Sequence, residues 1–543
     1  MSLSDVGAAG SADDGNADDA SASDGSASGA SARGGSASGR TRLGGEPDRP
    51  LRLAPTPWRP LFGVLALYAG VLTLLSARYG YHRDELYFLA AGRRLAWGYV
   101  DQPPLTPLLA RASTALFGDS LAGLRVCATL AAVATVLVVA LVARELGGGR
   151  GAQLLAAVLT AVGAQALAVG HMVSTATFDL LVWVGVSLLV LRVLRTGDGR
   201  WWLAVGAAVG IGVQNKYLVV LLAAVLLAAI GWVGPRGVLR SRWFVGGCLV
   251  AGALAAPNVV WQAANGWPQF TVAQGISEDD GAENRALLVP QQLIYLAPLF
   301  VPVWLVGWRR LWRAAEVRWA RAFAVAYPLL CAVVLAAGGK GYYTVPLLVV
   351  LLAAGCEPTV RWARGGRPRT RRALLAGVVG LSAVLNAVIT LPVLPPSALA
   401  VPMALDPEQG EQLGWPELAD AARDGWLRIP PSERDRAVLF AGNYGEAGAL
   451  ERYGPARGLP APYSGHMSYA DWGPPPDSAN GPVLLVRLTD ASAIERHFTG
   501  CRTVTHVDNG HDVDNEEQGA AIVLCAGPAR TWSSLWPSLR HAY

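Results

Sequence analysis

Tyr81-His82-Arg83-Asp84-Glu85-Leu86-Tyr87-Phe88, continued by Gly98-Tyr99-Val100-Asp101-Gln102-Pro103-Pro104-Leu105, is the stretch on which the fold turns. It follows a long apolar run at 59–77, so it lies just outside a membrane segment. An adjacent acidic pair, Asp84 and Glu85, and a further carboxylate, Asp101, beside the rigid Pro103-Pro104 crowd one membrane edge. Ionisable groups are costly to desolvate there and by default mark a functional site. A helix-end explanation stands beside it, because an Asp-Glu pair in a first turn complements the helix dipole.

The composition supports a membrane setting. Of 543 residues 52% are hydrophobic and only 16% charged, and many runs approach the span of a bilayer. Lysine is nearly absent: Lys216 and Lys340 are the only two. The net charge of +5 is small and sits mainly in loops, so nucleic acid is not an implied partner. Of six cysteines, Cys127, Cys248, Cys331 and Cys356 fall in or beside apolar runs, where they act as small hydrophobes. No Cys/His spacing of a metal site occurs.

Outward from the opening stretch, residues 1–55 are Ser, Ala, Gly and Asp with few large apolar side chains. They read as a disordered tail with no signal-peptide core. Apolar runs then recur at 59–77, 121–143, 151–170, 177–194, 201–214, 218–233, 243–261, 287–307, 321–337, 342–356 and 373–392, which predicts eleven spans. The runs 201–214 and 342–356 are the shortest for the task. Residues 103–118 are apolar but carry Pro and Arg, and are expected to lie along the membrane surface as a helix. Alternate connections carry the arginines, from Arg144 and Arg150 to the cluster Arg361, Arg364, Arg367, Arg369, Arg371 and Arg372. The positive-inside rule makes those loops cytoplasmic. The N-terminus is then inside, the 78–120 loop outside, and everything after 393 outside.

Residues 395–543 are a different material, with Gly and Pro turns between short apolar strands at 437–440, 482–488 and 521–525, and a helical stretch at 446–453. They predict a small extracytoplasmic α/β domain. An oxidising outer face favours a Cys501–Cys525 disulfide over two free thiols. The chain therefore divides into a tail at 1–55, a membrane domain at 56–394 and an outer domain at 395–543.

That topology gathers the polar groups on one side. Asp84, Glu85, Asp101 and Gln102 lie in the first outer loop, Asp179 near the outer end of the fourth span, and Lys216 and Lys340 in outer connections. Carboxylates with cations at one membrane face suit a reaction on a lipid-linked phosphate: cations neutralise the leaving phosphate and a carboxylate takes a proton from a hydroxyl. Each group has a plainer role open to it. A boundary lysine can be a snorkelling anchor, Asp179 can be a helix cap, and Arg125 can be a phosphate ligand or the partner of a buried carboxylate. His171 reads as a satisfied interfacial histidine, and Trp97, Trp261, Tyr342 and Tyr343 as part of an interfacial belt.

These stretches in order, with Asn215-Lys216-Tyr217, Pro257-Asn258-Val259-Val260-Trp261, Asn265-Gly266-Trp267-Pro268 and Gly339-Lys340-Gly341-Tyr342-Tyr343, resemble the protein O-mannosyltransferase superfamily of GT-C glycosyltransferases (family 39 and bacterial relatives, including the aminoarabinose transferases acting on lipid A). The resemblance spans 59–395. It implies a mainly α, polytopic membrane fold and transfer of a sugar from a polyprenyl-phosphate donor to a hydroxyl on protein, lipid or glycan at the outer face. It implies Asp84 as catalytic base, with Glu85 and Asp179 in the catalytic set, and Lys216, Lys340, Tyr343 and Arg125 toward the donor phosphate. Asp101 and Gln102 take supporting positions. Lipid A transferases place Glu-Lys where this chain has Asp101-Gln102, so Gln102 brings no positive charge. No inserted β-trefoil domain of the protein mannosyltransferases occurs. A divalent metal ion suits these carboxylates without being required. The alternatives are a multi-pass transporter or flippase, which usually shows internal repeats absent here, and a non-catalytic scaffold for the outer domain.

Overall fold

The computed structural model describes residues 53–486 and 496–542. The tail expected at 1–55 lies, up to residue 52, outside the described residues, as does the end of the expected 482–488 strand. The described residues form one compact unit.

Sixteen helices precede the outer region: α1 (Trp58–Leu75), α2 (Arg83–Arg93), α3 (Leu105–Phe117), α4 (Leu121–Glu145), α5 (Arg150–Ala161), α6 (Ala164–His171), α7 (Thr175–Thr196), α8 (Trp201–Val213), α9 (Leu218–Val233), α10 (Arg242–Ala264), α11 (Pro268–Asp279), α12 (Gly281–Ile294), α13 (Val301–Arg313), α14 (Ala322–Ala337), α15 (Val345–Arg364) and α16 (Pro368–Thr390). Among the described residues six helical segments are long and apolar enough to cross a membrane, and counting each of two bent pairs as one span gives up to eight. Three shorter apolar helices, α8, α9 and α14, occupy the remaining predicted runs. The chain is a multi-pass membrane protein. The run at 342–356 turns out longer than its apolar stretch suggests, because the helix continues through its terminal arginines to Arg364.

Local signals set the helix ends. α7 starts at Ser174, whose hydroxyl accepts the Ala176 N–H (3.1 Å), and stops at Gly197 with φ 69°. α15 is buried on every side from Val345 to Cys356, as expected of a helix that is apolar all round. It crosses α13 closely because Gly307 and Gly355 face each other's backbones. A Cβ on Gly355 would stand 1.9 Å from the Val303 carbonyl oxygen.

Two predicted spans are not straight. α5 and α6 meet at 60° at Val162-Gly163, and α12 and the helix containing α13 meet at 70° just before Pro298. In an apolar medium every freed backbone group needs a partner. The two breaks supply each other: the Ala164 and Gln165 N–H groups donate to the Leu296 and Tyr295 carbonyls (3.1 and 2.8 Å). Asn386 of α16 donates to the Val162 and Leu296 carbonyls (2.7 and 2.8 Å).

Beyond α16 come α17 (Ala400–Met403), α18 (Trp415–Trp426), α19 (Tyr444–Tyr453), α20 (Met467–Asp471) and α21 (Trp532–Leu539). Around them lie strands β1 (Val438–Ala441), β2 (Tyr463–Ser464), β3 (Val483–Val486), β4 (Phe498–Thr499), β5 (Arg502–His506), β6 (Ala521–Cys525) and β7 (Gly527–Pro528). The main sheet has the order β2-β1-β3-β6-β5, with β1 parallel to β2 and β3, and β6 antiparallel to β3 and β5. The expected α/β region is thus present, and Cys501 and Cys525 are disulfide-bonded. The carboxyl end of β1 runs into the Asn443 cap of α19, and α19 packs on α2.

Candidate active site

The acidic pair separates at the first turn of α2. His82 caps this helix: its Nδ1 accepts the Asp84 N–H (3.2 Å), while Glu85 Oε2 accepts the His82 N–H (2.9 Å). Glu85 is fully buried. Its Oε1 accepts from Arg125 Nε (2.9 Å) and the Val173 N–H (2.9 Å), and its Oε2 from Arg125 Nη2 (2.7 Å). Arg125 is 1% exposed and also donates to the Ser76 and Gly80 carbonyls and to Gln412, with His171 Nε2 at 3.1 Å. Every guanidinium N–H is engaged. Arg125 therefore stands as the partner of a buried carboxylate, and its donors are spent on protein rather than left for a phosphate. Glu85 has no free oxygen for chemistry. Of the two roles open to Arg125 the geometry favours the carboxylate partner, and burial gives Glu85 a supporting rather than a proton-transferring place.

Asp84 points elsewhere. It is only half-buried, and its Oδ1 accepts the hydroxyl of Tyr444 (2.8 Å) from α19. Its Oδ2 has no hydrogen-bond partner among the described residues. Beside it, Asp101 Oδ1 accepts the Tyr87 hydroxyl (2.6 Å), and the Tyr87 and Tyr444 rings lie 5.0 Å apart. Burial pushes the Asp101 carboxyl up to about 6; the Tyr87 hydrogen bond opposes this and the charge of Asp84 adds to it. Burial first, then the charge of Asp84, raises the Tyr444 phenol well above its ordinary range, so it stays protonated and donates. Burial, reinforced by stacked His541, pushes His466 down to about 3, which leaves its Nδ1 free to accept the Tyr444 N–H (3.3 Å).

The cations gather on the same side. Lys216 Nζ donates to the Tyr342 hydroxyl (3.2 Å) and lies 5.2 and 5.0 Å from the Tyr342 and Tyr343 ring centroids. Tyr342 is within electrostatic reach of Asp179, Glu408 and Asp84. Asp179, in α7, accepts from Trp183 Nε1 (2.9 Å) and feels the charge of Lys216; the cap of that helix is Ser174, not Asp179. Lys340 pairs with Asp280 at 3.7 Å, both 40% exposed, and acts electrostatically on Glu408, whose Oε2 is 2.8 Å from His82 Nε2. Gln102 is buried, and its side-chain amide has no hydrogen-bond partner among the described residues. No group of three or more His, Cys, Asp or Glu side chains suited to a metal occurs among the described residues.

Tyr444, Tyr87, His82 and Glu408 join this site without having been singled out for it from the sequence. His82 and Tyr87 lie within the opening stretch, beside the acidic pair, while Tyr444 lies just before the helical stretch expected at 446–453. Glu408 sits in a stretch with no distinguishing pattern.

Residues 101–261 match the family model described as dolichyl-phosphate-mannose-protein mannosyltransferase. The fold is similar to the crystal structure of ArnT from Cupriavidus metallidurans bound to undecaprenyl phosphate: TM-score 0.55 at 15% identity, over 87% of this chain and 98% of that one. The apo state of ArnT aligns at TM-score 0.55 and 14% identity, over 86% and 97%. No curated protein sequence matches the chain. The fold is thus that of a multi-pass membrane protein similar to ArnT, and residues 101–261 carry the match to the mannosyltransferase family model. The resemblance to the protein O-mannosyltransferase superfamily seen in the sequence is borne out.

Proposed function

We propose that this chain moves a hexose or pentose from a polyprenyl-phosphate donor to an acceptor hydroxyl on the outer membrane face. The observation that carries this is the separation of Asp84 from Glu85. One carboxylate is locked onto Arg125, while the other keeps an oxygen with no hydrogen-bond partner among the described residues, in a half-buried position on the side where Lys216 and Tyr343 stand. The bound lipid of the ArnT structure, undecaprenyl phosphate, is of the same donor class.

In this mechanism Asp84 Oδ2 takes the acceptor proton as the acceptor oxygen forms its bond to the anomeric carbon. The bond from that carbon to the phosphate oxygen breaks, its electron pair leaves with the phosphate, and the configuration inverts. Lys216 and Lys340 neutralise the leaving phosphate, with Tyr343 beneath Lys216. Asp179 holds Lys216 in place, and Glu85 and Arg125 position α2. The arginine loops face the cytoplasm, the α/β region faces outward, and the boundary between membrane and outer domains falls near residue 394.

Transfer from a radiolabelled polyprenyl-phosphate sugar in membranes tests the base. Asp84→Asn is expected to lower the rate by at least about a hundredfold, and Lys340→Ala to weaken donor use. Wild-type transfer by Asp84→Asn would sink the assignment.

A further inference from the structure

Asp84 is on the membrane side of the molecule, yet the group that holds its carboxylate comes from 360 residues further along the chain. The outer region reaches it by a built contact. The parallel strand β1 ends at Ala441, and the Asn443 cap starts α19 directly beyond it; the carboxyl ends of parallel strands are where α/β folds present functional groups. α19 then lies against α2 with no side chain between them at two points. A Cβ on Gly445 would stand 3.0 Å from Arg83 Cβ, and one on Gly448 would stand 2.9 Å from Leu86 Cβ and 3.0 Å from its backbone carbon. Tyr444, next to the first of these glycines, is thereby brought to Asp84.

The second carboxylate is approached from the same region. Ser468 accepts the Val100 N–H (3.0 Å), one residue before Asp101, and its own N–H lies 3.4 Å from the Tyr87 hydroxyl that donates to Asp101. The outer region thus grips the loop that carries both carboxylates.

We propose that Tyr444 is a positioning residue for Asp84, and that the outer α/β region is an integral part of the catalytic centre rather than an appendage to it. This rests on Asp84 acting as the base. By occupying Oδ1, the Tyr444 hydroxyl confines the carboxylate to one orientation and leaves Oδ2 as the oxygen that meets the acceptor hydroxyl. The acceptor consequently enters a site with one wall in the membrane domain and one wall in the outer region.

The test uses the full-length protein in detergent and in membranes. A water-soluble carbodiimide at fixed pH modifies accessible carboxyl groups, and its yield at Asp84 is followed by mass spectrometry without any substrate. Tyr444→Phe keeps the ring and removes only the hydroxyl; labelling at Asp84 is expected to rise severalfold. Gly448→Leu, which drives a side chain into Leu86, should raise it through undocking of α19. In the transfer assay Tyr444→Phe should lower kcat about tenfold with the donor KM unchanged. Unchanged labelling in Tyr444→Phe, or raised labelling with wild-type kcat, overturns the proposal. Asp84→Asn separates the two claims. Full transfer by that variant removes the base assignment, whereas its loss together with wild-type behaviour of Tyr444→Phe removes only the role of Tyr444.

Discussion

Glu85 and Asp84 are neighbours in sequence with opposite fates, and the difference is set by helix geometry. Successive residues on a helix point about a hundred degrees apart, so Glu85 turns inward to Arg125 while Asp84 stays at the rim. The acidic pair itself was legible as a functional signal; which member is buried was not, because that depends on α4 and the 171–173 connection, far away in sequence. Arg125 was legible only as two alternatives, decided by the number of acceptors around it. Asp101 offers a test at this scale. Its carboxyl is raised by burial from 3.8 to about 6, so the folded protein binds a proton more tightly than the unfolded chain does. The charged form is the penalised one, and the stability cost is present above pH 6 and disappears as pH falls through about 6 toward 3.8. Asp101→Asn, which can still accept the Tyr87 hydroxyl, is therefore expected to raise the melting temperature in detergent at pH 7.5. That advantage should shrink steadily toward pH 5. An advantage that does not change with pH would show that the Asp101 charge is not the cause.

At the scale of elements, all eleven apolar runs fall on helices or bent helix pairs, because a run of apolar residues has little choice of structure in a bilayer. The two bends were not legible. Gly163 and Pro298 permit a break, but the break is stable only because the other one answers it. Asn386 is the linchpin: one amide nitrogen serves a carbonyl from each broken helix, at 2.7 and 2.8 Å, from inside an apolar helix where Asn is otherwise disfavoured. Asn386→Leu leaves the Val162 carbonyl without this donor and weakens the support of Leu296. The expected cost is about 1–3 kcal/mol, seen as a lower melting temperature and less protein recovered from membranes. Unchanged stability would mean that water or lipid headgroups replace the amide. Strands β1, β3 and β6 were legible from their apolar clusters between turns, whereas β2, β4, β5 and β7, shorter or more polar, were not. The docking of α19 was not, since Gly445 and Gly448 look like ordinary small residues until α2 lies against them.

For the whole molecule, the proposed orientation follows from charge asymmetry and has a direct consequence for where the candidate site opens. α15 makes the connection concrete. Its amino end adjoins Tyr342 and Tyr343, beside Lys216, and its carboxyl end carries Arg361 and Arg364; twenty residues of helix at 1.5 Å each separate the two by about 30 Å, the thickness of a hydrocarbon core. The candidate site and the arginine cluster therefore lie at opposite membrane faces. Moving six arginines of residues 361–372 to the outside would oppose the retention of positive loops in the cytoplasm, which supports the proposed outward placement of the site and the α/β region. Single cysteines at exposed positions decide the matter. Ser478→Cys in the outer region should react with a membrane-impermeant maleimide on intact cells, and Arg367→Cys should react only after the membrane is opened. Any background from the native thiols is common to both variants and to the parent chain. The reverse pattern would place the Asp84 site in the cytoplasm, where an acceptor on the outer face could not reach it, and would overturn the orientation together with the acceptor side of the proposed reaction.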